Sequence, residues 1–173
     1  MGFSNKFPIS KKDKILTDMN ATKKHVLIIY HSQSGATEQL VFASSEGVAM
    51  EPGVEVRLVR SMEAGIADLL WCDALLVATP ENFGSLAGAV KDFFDRTFYP
   101  AQAHQINIPY MLIVSAGNDG RGTVAQVQKI AAGYPMRLVA EPLIVRGQPK
   151  EENLAAAAEL GETLAVGLVM GIF

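Results

Sequence analysis

Three short segments carry side chains able to do chemistry: "HSQSGATEQ" (31–39), "TPENFGS" (79–85) and "SAGNDGRGT" (115–123). The first follows an apolar run and opens a helix-like pattern, so its N–H groups stand at a helix N-terminus, where the dipole favours an anion. Ser32, Ser34 and Thr37 add hydroxyl donors, Gly35 lets a ligand approach the backbone, and Gln33 and Ala36 complete the loop. There is no lysine and no second glycine at Walker A spacing, no GxGxxG, and no cysteine nucleophile. Such a loop suits one phosphate monoester held statically better than a triphosphate undergoing transfer. The competing reading is an ordinary serine-rich helix cap.

The second segment offers Thr79, Pro80, Glu81, Asn82, Phe83 and Gly84. Proline stiffens the turn and the Asn82 amide can bond a heterocycle edge. Phe83 either lies beside a planar ring or belongs to the core. The third offers Ser115, Ala116, Gly117, Asn118 and Arg121, with backbone donors for ring carbonyl and imide groups; alone it is equally a flexible Gly/Asn turn. Arg121 either offsets negative charge on a reduced ring or is a solvated surface arginine. His31 has no Ser/Asp partner pattern and is read as structural, and no histidines stand at metal-ligand spacing. A phosphate site at one loop and a flat, polar-edged ring between the other two describe a mononucleotide.

These loops need a scaffold that brings them together. "HVLIIY" (25–30), "ALLVA" (74–78) and "YMLIV" (110–114) are continuous apolar runs, as in strands covered on both faces, whereas "VEVRLV" (54–59) alternates like an edge strand. Helical patterns fall at 36–49, 85–97 (with Ser85 as N-cap), 120–133 and 151–170, with a shorter one at 64–71. Alternation of strand and helix predicts an α/β domain of three layers, a doubly wound five-stranded parallel sheet of order 2-1-3-4-5. Ligands of such sheets bind beyond the carboxyl ends of the strands, where the order reverses, and all three polar loops leave from that end.

The 173 residues bound the chain to one domain of ordinary size, read as 23–173 after a basic extension over 1–22. Six lysines before residue 25 stand against Asp13 and Asp18, a net +4; with −3 overall, the remainder carries −7. The extension is read as flexible and solvated rather than as a lipid- or nucleic-acid-binding arm, and the acidic domain disfavours nucleic acid. Cys72 is the only cysteine, which excludes an internal disulfide and fits a reducing, cytoplasmic setting. The apolar C-terminal stretch is interrupted by Glu159 and Glu162 and reads as a packed helix rather than a membrane span. No secretory leader is expected, and Lys6 breaks the "MGFSNK" match to a myristoylation signal. In "KDFF" (91–94) one phenylalanine is expected in the core, the other in the core or on a homodimer surface.

"SQSGAT" (32–37) resembles the hydroxyl-x-hydroxyl-Gly-x-Thr phosphate loop of the flavodoxin-like fold, and "TPENFGSLAGAVKDFFDRTF" (79–98) is similar to the FMN-carrying segment of the NAD(P)H-dependent FMN reductases and related quinone reductases. The likeness extends from residue 25 to about 170. It implies bound FMN, with NAD(P)H as electron donor and a quinone, a flavin or another small molecule as acceptor. Phosphate contacts would come from Ser32, Ser34, Gly35, Ala36 and Thr37. Pro80 to Gly84 would line the ring and ribityl chain, and Ser115, Gly117 and Asn118 the pyrimidine edge. Two features depart from the pattern: "RSMEAG" (60–65) after the second strand has no aromatic residue to flank the ring, and the long insertion of larger quinone reductases is missing. A one-electron carrier of the flavodoxin type, and a non-redox interaction domain on the same fold, are the alternatives.

Overall fold

A computed structural model describes residues 22–173; residues 1–21, and with them nearly all of the expected basic extension, lie outside the described part. Five positions make up the parallel sheet. β1 (Lys24–Tyr30), β2 (Val54–Arg60), β3 (Ala74–Asn82) and β5 (Pro109–Ala116) are full strands. The fifth position is shared by β6 (Arg137–Leu138) and β7 (Leu143–Arg146), both paired in parallel to β5. The order β2-β1-β3-β5-β6/β7 is the expected 2-1-3-4-5 with its last strand interrupted.

The continuous apolar runs are the central strands, and β5 is buried along its whole length. Val54 and Val56 of β2 face one way and the exposed Glu55 and Arg57 the other, at the sheet edge where the alternation placed it. Because side chains alternate across a strand, Leu27 and Ile29 enter one core, and Val26 and Ile28 the other. α1 (Ala36–Ala49) and α5 (Glu151–Val169) cover the second face. α2 (Ile66–Trp71), α3 (Gly88–Gln102) and α4 (Arg121–Gly133) cover the first. α1 and α5 cross closely, since a Cβ on Gly47 would collide with the Ala158 carbonyl oxygen and one on Gly161 with that of Ser44. Phe93 and Phe94 are both buried, so each phenylalanine of "KDFF" belongs to the core. Among the described residues no helix is long and apolar enough to cross a membrane.

One expected element starts elsewhere. Ser85 does not cap a helix; Ser85–Leu86 form a short strand β4, antiparallel to Glu81–Asn82 of β3, and α3 begins three residues later. The Ala87 N–H at the true helix start donates to the Thr79 hydroxyl (3.0 Å), which ties the hairpin base to the helix. Register then fixes the site: Tyr30 pairs with Ala78, Pro80 with Ser115 and Ala116 with Arg146, so the strands end together.

Burial raises the Cys72 thiol from 9.0 to about 12, with Asp73 adding to the shift, and burial raises the Tyr134 phenol from 10.0 to about 12, opposed by the hydrogen bond with Thr97. Both acids ionise earlier in the unfolded chain, so their contribution to stability is complete below about pH 9 and is lost as pH rises toward 12. The unfolding midpoint should therefore hold steady up to about pH 9 and decline above it. Cys72→Ala should soften the early part of that decline, and a midpoint unchanged between pH 9.0 and about 12 would contradict the assignment.

Candidate functional site

The first polar loop is folded by its own serine. Ser32 Oγ accepts the N–H groups of Gly35 (3.2 Å) and Glu38 (3.3 Å), and Gly35 takes a left-handed conformation (φ 87°) at the start of α1. That arrangement leaves the N–H groups of Gln33, Ser34, Ala36 and Thr37 without a protein partner among the described residues, at the positive end of a 14-residue helix. The space in front of Gly35 is open. Thr37 is buried, and its hydroxyl lies 2.7 Å from that of Ser115 at the end of β5. In such a pair one hydroxyl donates and the other keeps its proton for a third group. Glu38, the carboxylate nearest the loop, is held by Arg60 (2.6 Å) and by the Tyr30 hydroxyl (3.3 Å).

The second loop is a tight hairpin. Asn82 pairs with Ser85 across a two-residue turn, Phe83–Gly84, in which both φ values are positive (54° and 73°). The hairpin is docked on α4: a Cβ on Gly122 would overlap the Gly84 carbonyl oxygen, and Ser85 Oγ donates to Gln126 Oε1 (2.6 Å). The Thr79 hydroxyl also donates to the Pro80 carbonyl (2.9 Å), so Thr79 braces the loop from inside. Glu81 Oε2 accepts the Asn118 N–H (3.1 Å) and links the second loop to the third.

Between these loops lies a cleft of about 340 Å³. The first loop supplies Gln33, Ser34 and Ala36 to its wall, the second Pro80, Glu81 and Asn82, and the third Ser115, Ala116 and Gly117. Ser32, Gly35 and Thr37 shape the first loop, and Thr79 and Gly84 the second, from behind or beside the wall. Asn118 sits at the Glu81 link. Two of the sequence candidates stand apart. Phe83 points fully into solvent, neither core nor wall. Arg121 lines a separate depression with Gln128, Glu141 and Ile144. The wall also holds Gly147 and Gln148, which sequence reasoning missed; the only signal was a glycine directly after the last strand. "RSMEAG" stays out of the cleft, pinned by Arg96 donating to the Ser61 and Ala64 carbonyls (3.0 Å each). Two larger cavities of about 560 Å³ each lie along α3 and the end of α4, away from the strand ends, with apolar walls. The smaller polar cleft lies at the strand ends, where the free N–H groups of the first loop face the amide and backbone groups of the other two.

A doubly wound parallel sheet with this cleft defines the flavodoxin-like class, and solved structures agree. A flavodoxin from the domain Archaea superposes with a TM-score of 0.74 at 18% identity, covering 84% of this chain and 99% of that one. A WrbA-like flavodoxin from Agrobacterium tumefaciens gives 0.73 at 19%, covering 86% and 99%. The chain belongs to the NADPH-dependent FMN reductase family, whose model matches residues 59–148, a span that includes the second and third loops. Among curated relatives it is 40% identical over 70 residues to a flavodoxin of Aquifex aeolicus, covering 40% of this chain and 38% of that protein. It is 29% identical over 92 residues to an NAD(P)H dehydrogenase (quinone) of Acidithiobacillus ferrooxidans, covering 42% and 46%. The matches span less than half of those relatives' lengths. Fold and family together place the chain among the flavodoxin-like NADPH-dependent FMN reductases.

The Thr37–Ser115 pair should be structural as well as functional. Thr37→Val leaves a buried Ser115 hydroxyl unpaired and should cost about 1–3 kcal/mol, read as a lower urea midpoint. An unchanged midpoint would show that the two hydroxyls contribute nothing to the fold.

Proposed function

We propose that the chain is an NAD(P)H-dependent reductase that passes electrons through FMN to a quinone, a flavin or a related small acceptor. The observation that carries this reading is a cleft with unpartnered backbone donors at one end and neutral amide and backbone groups at the other. These residues fit FMN. The free N–H groups around Ser34 and the open space at Gly35 would take its phosphate, without a cation among the wall residues. Asn82, Ser115 and Gly117 would meet the ring system. When bound, FMN supplies hydride acceptance at its N5. The chain's part is to orient the ring, hold the phosphate and leave one ring face open, and no side chain of the wall is needed as acid or base.

A carrier of the flavodoxin type is the second reading, favoured by the Aquifex flavodoxin match. The two separate on mixing with NADPH. Purified protein incubated with FMN should absorb between about 350 and 500 nm, and NADPH should bleach that band within seconds. A coloured protein that NADPH leaves unbleached would be a carrier, and a chain that takes up no FMN would be a non-redox domain. Ser34→Asp places a carboxylate among the phosphate donors and should weaken FMN binding by at least about tenfold. Ser34 is the suitable probe because it is exposed, whereas Thr37 is buried. Unchanged affinity would mean the phosphate lies elsewhere.

A further inference from the structure

The first turn of α1 carries its own carboxylate. Glu38 is the third residue of the helix, and its N–H donates to the same Ser32 hydroxyl that folds the first polar loop (3.3 Å). A carboxylate there gains from the helix dipole, so it competes for the positive potential that the free N–H groups of Gln33, Ser34, Ala36 and Thr37 offer to a ligand. Its side chain has two partners on one oxygen. Arg60, the last residue of β2, donates to Glu38 Oε1 (2.6 Å), and so does the Tyr30 hydroxyl at the end of β1 (3.3 Å). The guanidinium also stands over the Tyr30 ring, 5.2 Å from its centroid. Tyr30 and Arg60 are paired in the β1–β2 register, so the sheet itself delivers the cation to the carboxylate. Burial raises the Tyr30 phenol above 10.0, Arg60 opposes that shift, and Glu38 and Glu63 add to it; both carboxylates are felt at this corner. Arg60 and Glu38 are partly exposed, and a pair of that kind contributes little to folding.

We infer that Arg60 is a positioning residue for the cofactor phosphate: by neutralising Glu38 it keeps the α1 N-terminus able to hold a doubly charged monoester, and so sets the preference of the cleft for FMN over unphosphorylated riboflavin. The inference rests on the FMN reading of the cleft and adds the group that governs its ligand preference. Arg60 is not among the cleft-wall residues, so it acts through Glu38 rather than by touching the ligand. A phosphate monoester carries close to two negative charges at neutral pH. With Arg60 removed, that charge and the Glu38 carboxylate would share one helix end, and like charges there repel. The effect falls on the phosphate and spares the ring, because Asn82, Ser115 and Gly117 stand on β3, on β5 and just beyond β5.

The test titrates the flavin-free full chain with FMN and with riboflavin, following the quenching of flavin fluorescence. Arg60→Ala should weaken FMN binding about fivefold and leave riboflavin within about twofold of the parent. Arg60→Lys keeps the charge and should recover most of the loss. Arg60→Ala combined with Glu38→Gln should bring FMN affinity back to within about twofold of the parent, because the repelling charge is gone. Raising the salt from about 0.02 M to about 0.5 M should shrink the Arg60→Ala effect on FMN, since partly exposed charges are screened. Unchanged FMN affinity in Arg60→Ala would overturn the inference and leave the FMN reading standing. Equal losses for the two flavins, or a loss that Glu38→Gln does not reverse, would mean that Arg60 only supports the local fold, and would overturn it as well. A parent chain that takes up no FMN would sink the FMN reading, and the inference with it.

Discussion

The parallel register of β1, β3 and β5 is the constraint on which the rest of the molecule depends. It sets Tyr30 beside Ala78 and Pro80 beside Ser115, so three loops far apart in sequence leave the same end of the sheet and become neighbours. The register is held by apolar runs buried on both faces, and a one-residue slip would swap which residues face each core. The helix crossing beneath it is equally demanding, because Gly47 and Gly161 let α1 and α5 approach to backbone contact. That crossing fixes α1, and the N-terminus of α1 presents the anion donors. Core packing and site geometry are therefore one problem in this chain.

A cleft that presents backbone anion donors without a wall cation has consequences. Backbone N–H groups cannot swing away as a lysine can, so orientation comes with the fold rather than with a flexible side chain. The neighbouring charges support this arrangement. Arg60 is occupied by Glu38, and the Glu81 carboxylate by the Asn118 N–H. Ser32 accepts two N–H groups that would otherwise compete for the ligand, and so selects which donors remain free. The helix-cap reading of this loop and the phosphate reading are thus complementary: Ser32 caps, and the residues after it present donors.

Central strands and the edge strand were legible because burial on both faces, or on one, writes itself directly into apolar periodicity. The three polar loops were legible from composition and topology together. What the residues concealed were features set by tertiary contact. "TPENFGS" resembles a helix start because serine is a good cap, yet docking on Gly122 and Gln126 makes it a hairpin. Thr37 and Thr79 read alike as ligand contacts, but the Thr79 hydroxyl is committed to the Pro80 carbonyl and the Ala87 N–H, whereas the buried Thr37–Ser115 pair keeps one hydroxyl proton for a third group. Gly147 and Gln148 were invisible because the strand before them is short and half-buried, with no strong apolar run to mark its end. Arg121 shares a loop with Gly117 but faces the opposite side of it, a direction that spacing alone cannot give.

The hairpin shows how fold and site pull against each other. For the fold alone, an Asn-Gly turn would relax the backbone and remove an apolar side chain from water. The chain has Asn82 one position too early for that, inside the cleft wall, and Phe83 at the strained position. Shifting the register by one residue to place asparagine in the turn would move Glu81 off its link to Asn118 and disturb the Gly84–Gly122 approach. The wall contacts of Glu81 and Asn82 therefore fix where the turn falls, and the turn fixes Phe83 at the rim. Strain at Phe83 follows from holding two wall residues in place on a hairpin only six residues long.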